Sequence, residues 1–207
     1  MGLVRRAILE ARHRLLPKPE WIKKKRVVDR EFDREHGVDT GGYTYLGSLK
    51  IDSPNWRDGN SHIAADPEEF EAAIAALDAD LSKLTFVDLG SGKGRALMLA
   101  SGYPFKERIG VEFSEQLVRV ARANGIETIH ADATEYELPP VPTLLFLYNP
   151  FGRETMDRVA ERTRASLDAI PRELIVLYLN PFHLDSWLNA GFALVFRGPH
   201  FAVLNPE

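Results

Sequence analysis

The residues best suited to chemistry are carboxylates and amides set at the ends of apolar runs. Asp88 lies inside Phe86-Val87-Asp88-Leu89, directly before Gly90-Ser91-Gly92-Lys93-Gly94. Glu112 ends Gly110-Val111-Glu112 and is followed by Phe113 and Ser114; Asp132 and Ala133 follow Thr128-Ile129-His130. Asn149-Pro150-Phe151 closes the apolar run 143–148, and Asn180-Pro181-Phe182 closes 174–179 in the same way. A carboxylate buried in a strand end is costly unless something pairs with it. Glycines turn sharply with no Cβ in the way, so a ligand can approach the main chain, and the helix that follows offers N–H groups to polar or anionic atoms. Strand, glycine turn and helix in that order make the first half of a nucleotide-binding βαβ unit. An acid about 20 residues further on stands at the offset of a ribose hydroxyl ligand.

The spacing narrows the choice of ligand. A dinucleotide site needs G-x-G-x-x-G, but the third glycine here comes one residue early, at Gly94, and the P-loop pattern G-x-x-x-x-G-K-[ST] fits no window. What remains is acidic–apolar–Gly-x-Gly-x-Gly. Residues 86–95 resemble motif I of the class I S-adenosylmethionine (SAM) methyltransferases, and the chain resembles small bacterial methyltransferase-domain proteins of the Asp-Leu-Gly-Ser-Gly-Lys-Gly-Arg type. The resemblance spans residues 40–205. It implies a Rossmann-like α/β fold, with a mostly parallel seven-stranded sheet, a C-terminal antiparallel hairpin and an N-terminal helical extension.

It also implies SAM as cofactor. Asp88, Gly90, Ser91, Gly92 and Gly94 would hold its amino-acid end, Glu112 the ribose hydroxyls, and Phe113 would pack on adenine. Asp132 with Ala133 would lie near the adenine amino group, and Asn149 near the methyl. Each reading has a plainer alternative. Glu112 can be a helix-start acid favoured by the dipole; the ribose role is preferred because Ser114 already provides a cap. Asp132 can close an Asx turn, and both readings stand. His130 is read as structural.

Asn149-Pro150-Phe151 resembles the Asn-Pro-Pro-Phe/Tyr motif of enzymes that methylate amide or amino nitrogen, without its second proline. The family places the methyl acceptor there. An asparagine oxygen and a proline carbonyl can together accept two N–H hydrogens and aim a nitrogen lone pair, while Phe151 stacks on a planar substrate or walls the pocket. These three are the candidate catalytic residues; the alternative is a proline-terminated strand. The second such turn, at 180–182, is either a further rim element or a strand stop. The glycine turn also resembles that of the non-SET protein lysine methyltransferases. Protein lysine is therefore the first acceptor expected, ahead of a nucleic-acid base or a small-molecule amine. Methyl transfer asks for alignment and exclusion of water, with no metal and no covalent nucleophile.

Alternating strands and helices must position these groups. Strands are expected at 85–89, 108–111, 128–130, 143–148 and 174–179, with a final antiparallel pair at 193–196 and 201–204 around Gly198-Pro199. Helices are expected at 95–101, 114–124, 153–167 and 184–190, and another begins at Asp66-Pro67-Glu68-Glu69, an N-cap, a proline at N1 and acids in the first turn. Residues 37–66, rich in Gly, Ser, Asn, Asp and Pro, read as loop. A polar loop this long carrying Tyr43, Tyr45 and Trp56 is expected to be a lid or binding segment.

At 207 residues with 44% hydrophobic and 27% charged residues, the chain suits one α/β domain. The absence of cysteine excludes disulfides, thiolate zinc sites, cysteine nucleophiles and the iron–sulfur cluster of radical SAM enzymes. No apolar run approaches the ~20 residues of a membrane span, the N-terminus lacks the core of a secretory signal, and a cytoplasmic location is expected. Residues 1–30 hold ten Lys or Arg against three acids, or +7; with a net charge of −4 the remainder carries −11. Residues 3–16 have the spacing of a basic amphipathic helix, ended by Pro17 and Pro19, and Lys23-Lys24-Lys25-Arg26 continue the basic character. This divides the chain into a basic helical extension, 1–40, and a methyltransferase domain, 41–207. The extension either docks on its own domain or meets an acidic partner, nucleic acid or an anionic membrane. The alternative for the whole chain is a non-catalytic nucleic-acid- or membrane-associated binding protein that retains the fold.

Overall fold

The computed structural model describes residues 19–207. Helix α1 (Glu20–His36) leads into a two-stranded hairpin, β1 (Tyr43–Thr44) and β2 (His62–Ile63), and then helix α2 (Pro67–Ala75). Alternation follows: β3 (Thr85–Leu89), α3 (Arg95–Ala100), β4 (Glu107–Glu112), α4 (Glu115–Ala123), β5 (Thr128–His130), β6 (Thr143–Tyr148), α5 (Arg153–Ala169), β7 (Leu174–Leu179), α6 (Leu184–Asn189), β8 (Phe192–Arg197) and β9 (Phe201–Pro206). The large sheet has the order β5-β4-β3-β6-β7-β9-β8, parallel from β5 to β7, with β9 antiparallel to both of its neighbours. This is the expected seven-stranded sheet with its terminal hairpin.

Strands β3 and β7 are buried along their whole length, because helices cover both faces of the parallel part. Alternate side chains feed two cores. Phe86, Phe146, Leu177 and Phe201 pack with Phe70 of α2 on one face. Val87, Leu145, Val176 and Tyr178 pack with Met156 of α5 and Trp187 of α6 on the other. The chain leaves β3 toward β4 and returns to β3's other side as β6. The strand order therefore reverses between β3 and β6, and ligands bind outside the carboxyl ends of the strands at such a switch point.

Residues 20–36, within the helical extension expected at 1–40, form a helix ended by Gly37 in the left-handed region at φ 67°. Two expectations are corrected. The stretch 37–66 is not loop throughout: it contains the β1–β2 hairpin and two short 3-10 turns, Leu46–Ser48 and Pro54–Asp58. Ser114 starts α4 without its hydroxyl capping it; that hydroxyl is buried without a partner among the described residues, and Glu112 accepts from the Ser114 N–H, at 2.9 Å. The helix expected at 3–16 lies outside the described residues. Among the described residues no helix is long and apolar enough to cross a membrane.

Candidate active site

Gly90, Gly92 and Gly94 all sit in the left-handed region, at φ 83°, 57° and 89°. Only glycine takes three such positions within five residues without strain. A methyl group on Gly90 would also strike Pro150, and one on Gly92 would strike His62. The glycine turn thus packs directly against the Asn-Pro-Phe turn of β6 on one side and the β2 hairpin on the other. The loop spends most of its N–H groups internally: Gly90 and Ser91 donate to the Val111 carbonyl, Gly94 to Ser91, and Gly92 to Glu112. Its contribution to a ligand is close approach more than free donors.

Beneath this turn a cavity of about 830 Å³ opens at the carboxyl ends of β3, β4 and β6. Asp88, Gly90, Ser91, Gly92, Glu112, Phe113, Asp132, Ala133, Asn149, Pro150 and Phe151, the residues expected from sequence, all line it. Gly94 does not; it sits behind the turn against Ile126.

Two buried acids dominate the electrostatics. Asp88 has no hydrogen bond to its carboxylate among the described residues, and burial, then the Glu112 charge, push its pKa well above the carboxylate range. Glu112 accepts from Gly92 N through Oε2 at 2.9 Å and from Ser114 N through Oε1. Burial nevertheless pushes it up to about 7, against the pull of those N–H bonds. The Phe113 N–H also bonds this carboxylate, so three N–H groups leave Glu112 one lone pair for a ligand.

Asp132 is held differently. It accepts from the Ser53 hydroxyl, from Asn55 Nδ2 at 2.9 Å, and from the N–H and hydroxyl of Thr134 at 2.8 and 2.7 Å. Burial raises its pKa, but these bonds outweigh it and leave the carboxyl below its ordinary range. The Thr134 contact is the Asx turn, so Asp132 closes a turn while it lines the cavity. His130 reaches the Phe113 carbonyl at 3.1 Å, away from the cavity lining.

The Asn-Pro-Phe turn is pinned by residues whose role sequence reasoning missed. Asn60 donates its N–H to the Pro150 carbonyl at 3.0 Å and its side-chain amide to the Asn149 carbonyl at 2.8 Å. Asp58 accepts from Gly152 N through its backbone and from Thr155 N through its side chain, at 2.6 and 2.7 Å. The proline carbonyl expected to face an acceptor is therefore already engaged. The available signal was the density of short polar residues in Ser53-Pro54-Asn55-Trp56-Arg57-Asp58-Gly59-Asn60, whose side chains bond backbone at close range.

Asn149 has φ 41° and Asn180 φ 48°, both left-handed. The two Asn-Pro-Phe turns are cross-linked: the Tyr178 hydroxyl reaches Asn149 Oδ1 at 3.3 Å, and Tyr148 of β6 bonds the Asn180 side chain.

Helix α1 closes one side, with Trp21, Lys24, Lys25 and Val28 lining the same cavity. This part of the basic extension therefore docks on its own domain, at the mouth of the site. The anchor is Arg95, fully buried, which pairs with Asp33 at 2.9 Å and Asp29 at 3.6 Å, bonds the Thr40 hydroxyl, and stacks its guanidinium over Phe32 at 3.8 Å. Lys93 adds a pair to Asp39 at 2.7 Å. His62, pushed down to about 4 by burial and then by the Lys93 charge, is neutral and meets the Thr40 carbonyl at 3.3 Å. Among the described residues no three His, Asp or Glu side chains form a metal-holding group.

No family model matches the sequence, and no curated protein matches it. Solved structures do. The pyocyanin biosynthetic protein PhzM matches with a TM-score of 0.52 at 14% identity, over 67% of this chain and 54% of that one. The sheet order, with a parallel sheet ending in an antiparallel hairpin, decides the architecture. This is the class I methyltransferase fold. Human N-acetylserotonin methyltransferase (ASMT) in complex with SAM matches at 0.49 with 15% identity, over 67% of this chain and 51% of that one. TrmN from Thermus thermophilus matches at 0.49 with 19% identity, over 67% and 47%. The chain spans about half the length of these structures.

Proposed function

We propose that the chain is a SAM-dependent methyltransferase acting on a nitrogen acceptor, with protein lysine ahead of a nucleic-acid base or a small amine. The observation that carries this is Asp88: a carboxylate buried at the switch point, lining the cavity, without a hydrogen bond among the described residues. Leaving it so is costly until a positively charged or hydrogen-bonding ligand arrives. SAM fits what the cavity offers. Asp88 would face its cationic amino-acid end, the remaining lone pair of Glu112 its ribose, and Phe113 its adenine.

When bound, SAM would supply an activated methyl: an ammonium acceptor would first lose one proton to solvent, and its lone pair would then take the methyl as the sulfur–methyl bond gave its electrons to sulfur, with S-adenosylhomocysteine as the product. The chain's own part is alignment. The Asn60 and Asp58 bonds hold the Asn149 turn rigid, Phe151 walls the cavity, and α1 with the 53–61 segment limits water. The exposed basic residues of α1, Lys23, Lys24 and Arg26 among them, suit an acidic surface on the acceptor protein.

Isothermal titration with SAM, S-adenosylhomocysteine and NAD tests the cofactor. Micromolar heat from the first two supports the reading, and heat from NAD alone refutes it. Tritiated SAM added to cell extract, with and without protease or nuclease, then tests the acceptor class.

A further inference from the structure

Resting on that reading of the site, we propose that the outer half of the cavity is a subsite for a primary alkylammonium, and that Glu69 selects it. The cavity, at about 830 Å³, is near the upper end of the roughly 300–1,000 Å³ that ligand pockets span. A cofactor between Asp88, Glu112 and Asp132 leaves an outer part walled by α1, the start of α2 and the two Asn-Pro-Phe turns.

The charges there do not cancel. Asp66 and Glu69 both line the cavity. Of the bases that line it, Lys25 is held by Asp29 at 2.8 Å and Arg95 by Asp33 at 2.9 Å, two acids outside the lining. Asp66 caps α2 and has Lys25 at 3.9 Å, while Glu69 has no cation within ion-pair distance among the described residues. Lys24 is exposed, so water screens its charge. The negative field reaches the rim: burial first, then Glu69 and Asp66, drive the Tyr148 hydroxyl above its ordinary range.

The mouth is also aromatic. Phe182 is 76% exposed and Trp21 53%, and both line the cavity. Exposed rings beside unneutralised carboxylates suit a cationic head on an apolar stem, which gains from the ring faces and from the field together. A nucleic-acid acceptor would bring phosphates into the same negative field, and a neutral amide would draw nothing from it. A polypeptide lysine and a free polyamine share the chemistry.

The test uses the full chain and tritiated SAM with four probes: poly-L-lysine, spermidine, fully acetylated poly-L-lysine and an adenine-rich oligonucleotide. Transfer to poly-L-lysine or spermidine is expected, the better of the two naming the source, with none to the other probes. Glu69→Gln should raise the amine KM by about tenfold, the worth of one charge-assisted contact, while SAM affinity and melting temperature hold. Phe182→Ala, at an exposed position that leaves the fold alone, should also raise that KM. Transfer to the acetylated polymer or the oligonucleotide in preference to the amines, an unchanged KM in the folded Glu69→Gln protein, or no transfer to either amine by a protein that binds SAM would each overturn the subsite. Failure to bind SAM would overturn the methyltransferase reading first, and the subsite with it.

Discussion

Glu112→Gln separates what Glu112 does for the fold from what it does for a ligand. In the folded chain Glu112 has a pKa of about 7 against an ordinary 4.5. A raised folded pKa means that the folded state holds the proton more tightly than the unfolded one. Stability from this group is therefore fully present below the ordinary value and is lost as pH rises toward 7. Above 7 the loss reaches about 3 kcal/mol, and between pH 5.5 and 8.5 it amounts to about 2 kcal/mol. Glutamine cannot ionise and escapes that loss. It has one oxygen where Glu112 uses two, so either Gly92 N or Ser114 N meets an amide NH₂, at a cost of about 1–3 kcal/mol. Removing the charge also relieves Asp88, whose pKa it helps to raise, which acts in the same direction. Urea denaturation should find the variant clearly less stable at pH 5.5, with the gap narrowing by about 2 kcal/mol at pH 8.5. SAM affinity should fall by about 1.5–3 kcal/mol, the worth of hydrogen bonds to a charged acceptor. Parallel stability profiles across that pH range, or unchanged SAM affinity, would refute the reasoning.

Three further substitutions probe the site's frame. Gly90→Ala forces an L side chain to φ 83° against Pro150 and should cost about 1–3 kcal/mol, with SAM heat lost in titrations below the melting point. Arg95→Met takes the cation from Asp33 while Asp29 keeps Lys25 at 2.8 Å, and should destabilise by about 3 kcal/mol, the low end for a broken buried pair; circular dichroism melts should drop, and SAM binding should weaken because α1 loses its anchor. Asn149→Gly keeps the left-handed backbone but removes the amide that the buried Tyr178 hydroxyl bonds; stability should fall by about 1 kcal/mol, while turnover falls and SAM affinity changes little. Equal turnover would remove Asn149 from the acceptor geometry.

The central elements were legible because each carries a strong local pattern. Strands β3, β6 and β7 are short apolar runs bounded by glycine or by Asn-Pro, and α2 opens with Asp66 and Pro67, a cap whose two N–H bonds the structure shows. Helix α1 carries no such pattern. It buries only Ile22 and Asp29, so it has no apolar stripe, and its anchor is Arg95, 62 residues from Asp33 along the chain. Pairings at that separation leave no periodic trace. The β1–β2 hairpin is two residues per strand, too short to alternate. At the site, the glycine turn and the strand-end acids were readable from type and offset. Ser114 was misread because the residue that usually caps was present, while Glu112, two residues back, takes the cap's N–H.

The repeated Asn-Pro-Phe turn acquires meaning only from register. Tyr148 immediately precedes Asn149, whereas Tyr178 stands two residues before Asn180. The β6–β7 ladder pairs Tyr148 with Leu179 and Leu147 with Tyr178. The two tyrosines are thus one step out of phase and face opposite sides of the sheet, Tyr148 against the Phe70 core and Tyr178 within the Trp187 core. Each reaches the other strand's asparagine from its own side. Burial pushes Tyr178 up to about 12, so its hydroxyl keeps its proton, and it already accepts from the His183 N–H at 3.4 Å. Its one hydrogen is therefore free to go to Asn149 Oδ1, which fixes the amide and leaves the oxygen's second lone pair for an incoming N–H. Two turns that look redundant in sequence act as a single brace, and the asparagine nearest the glycine turn is the one held by a fully buried tyrosine.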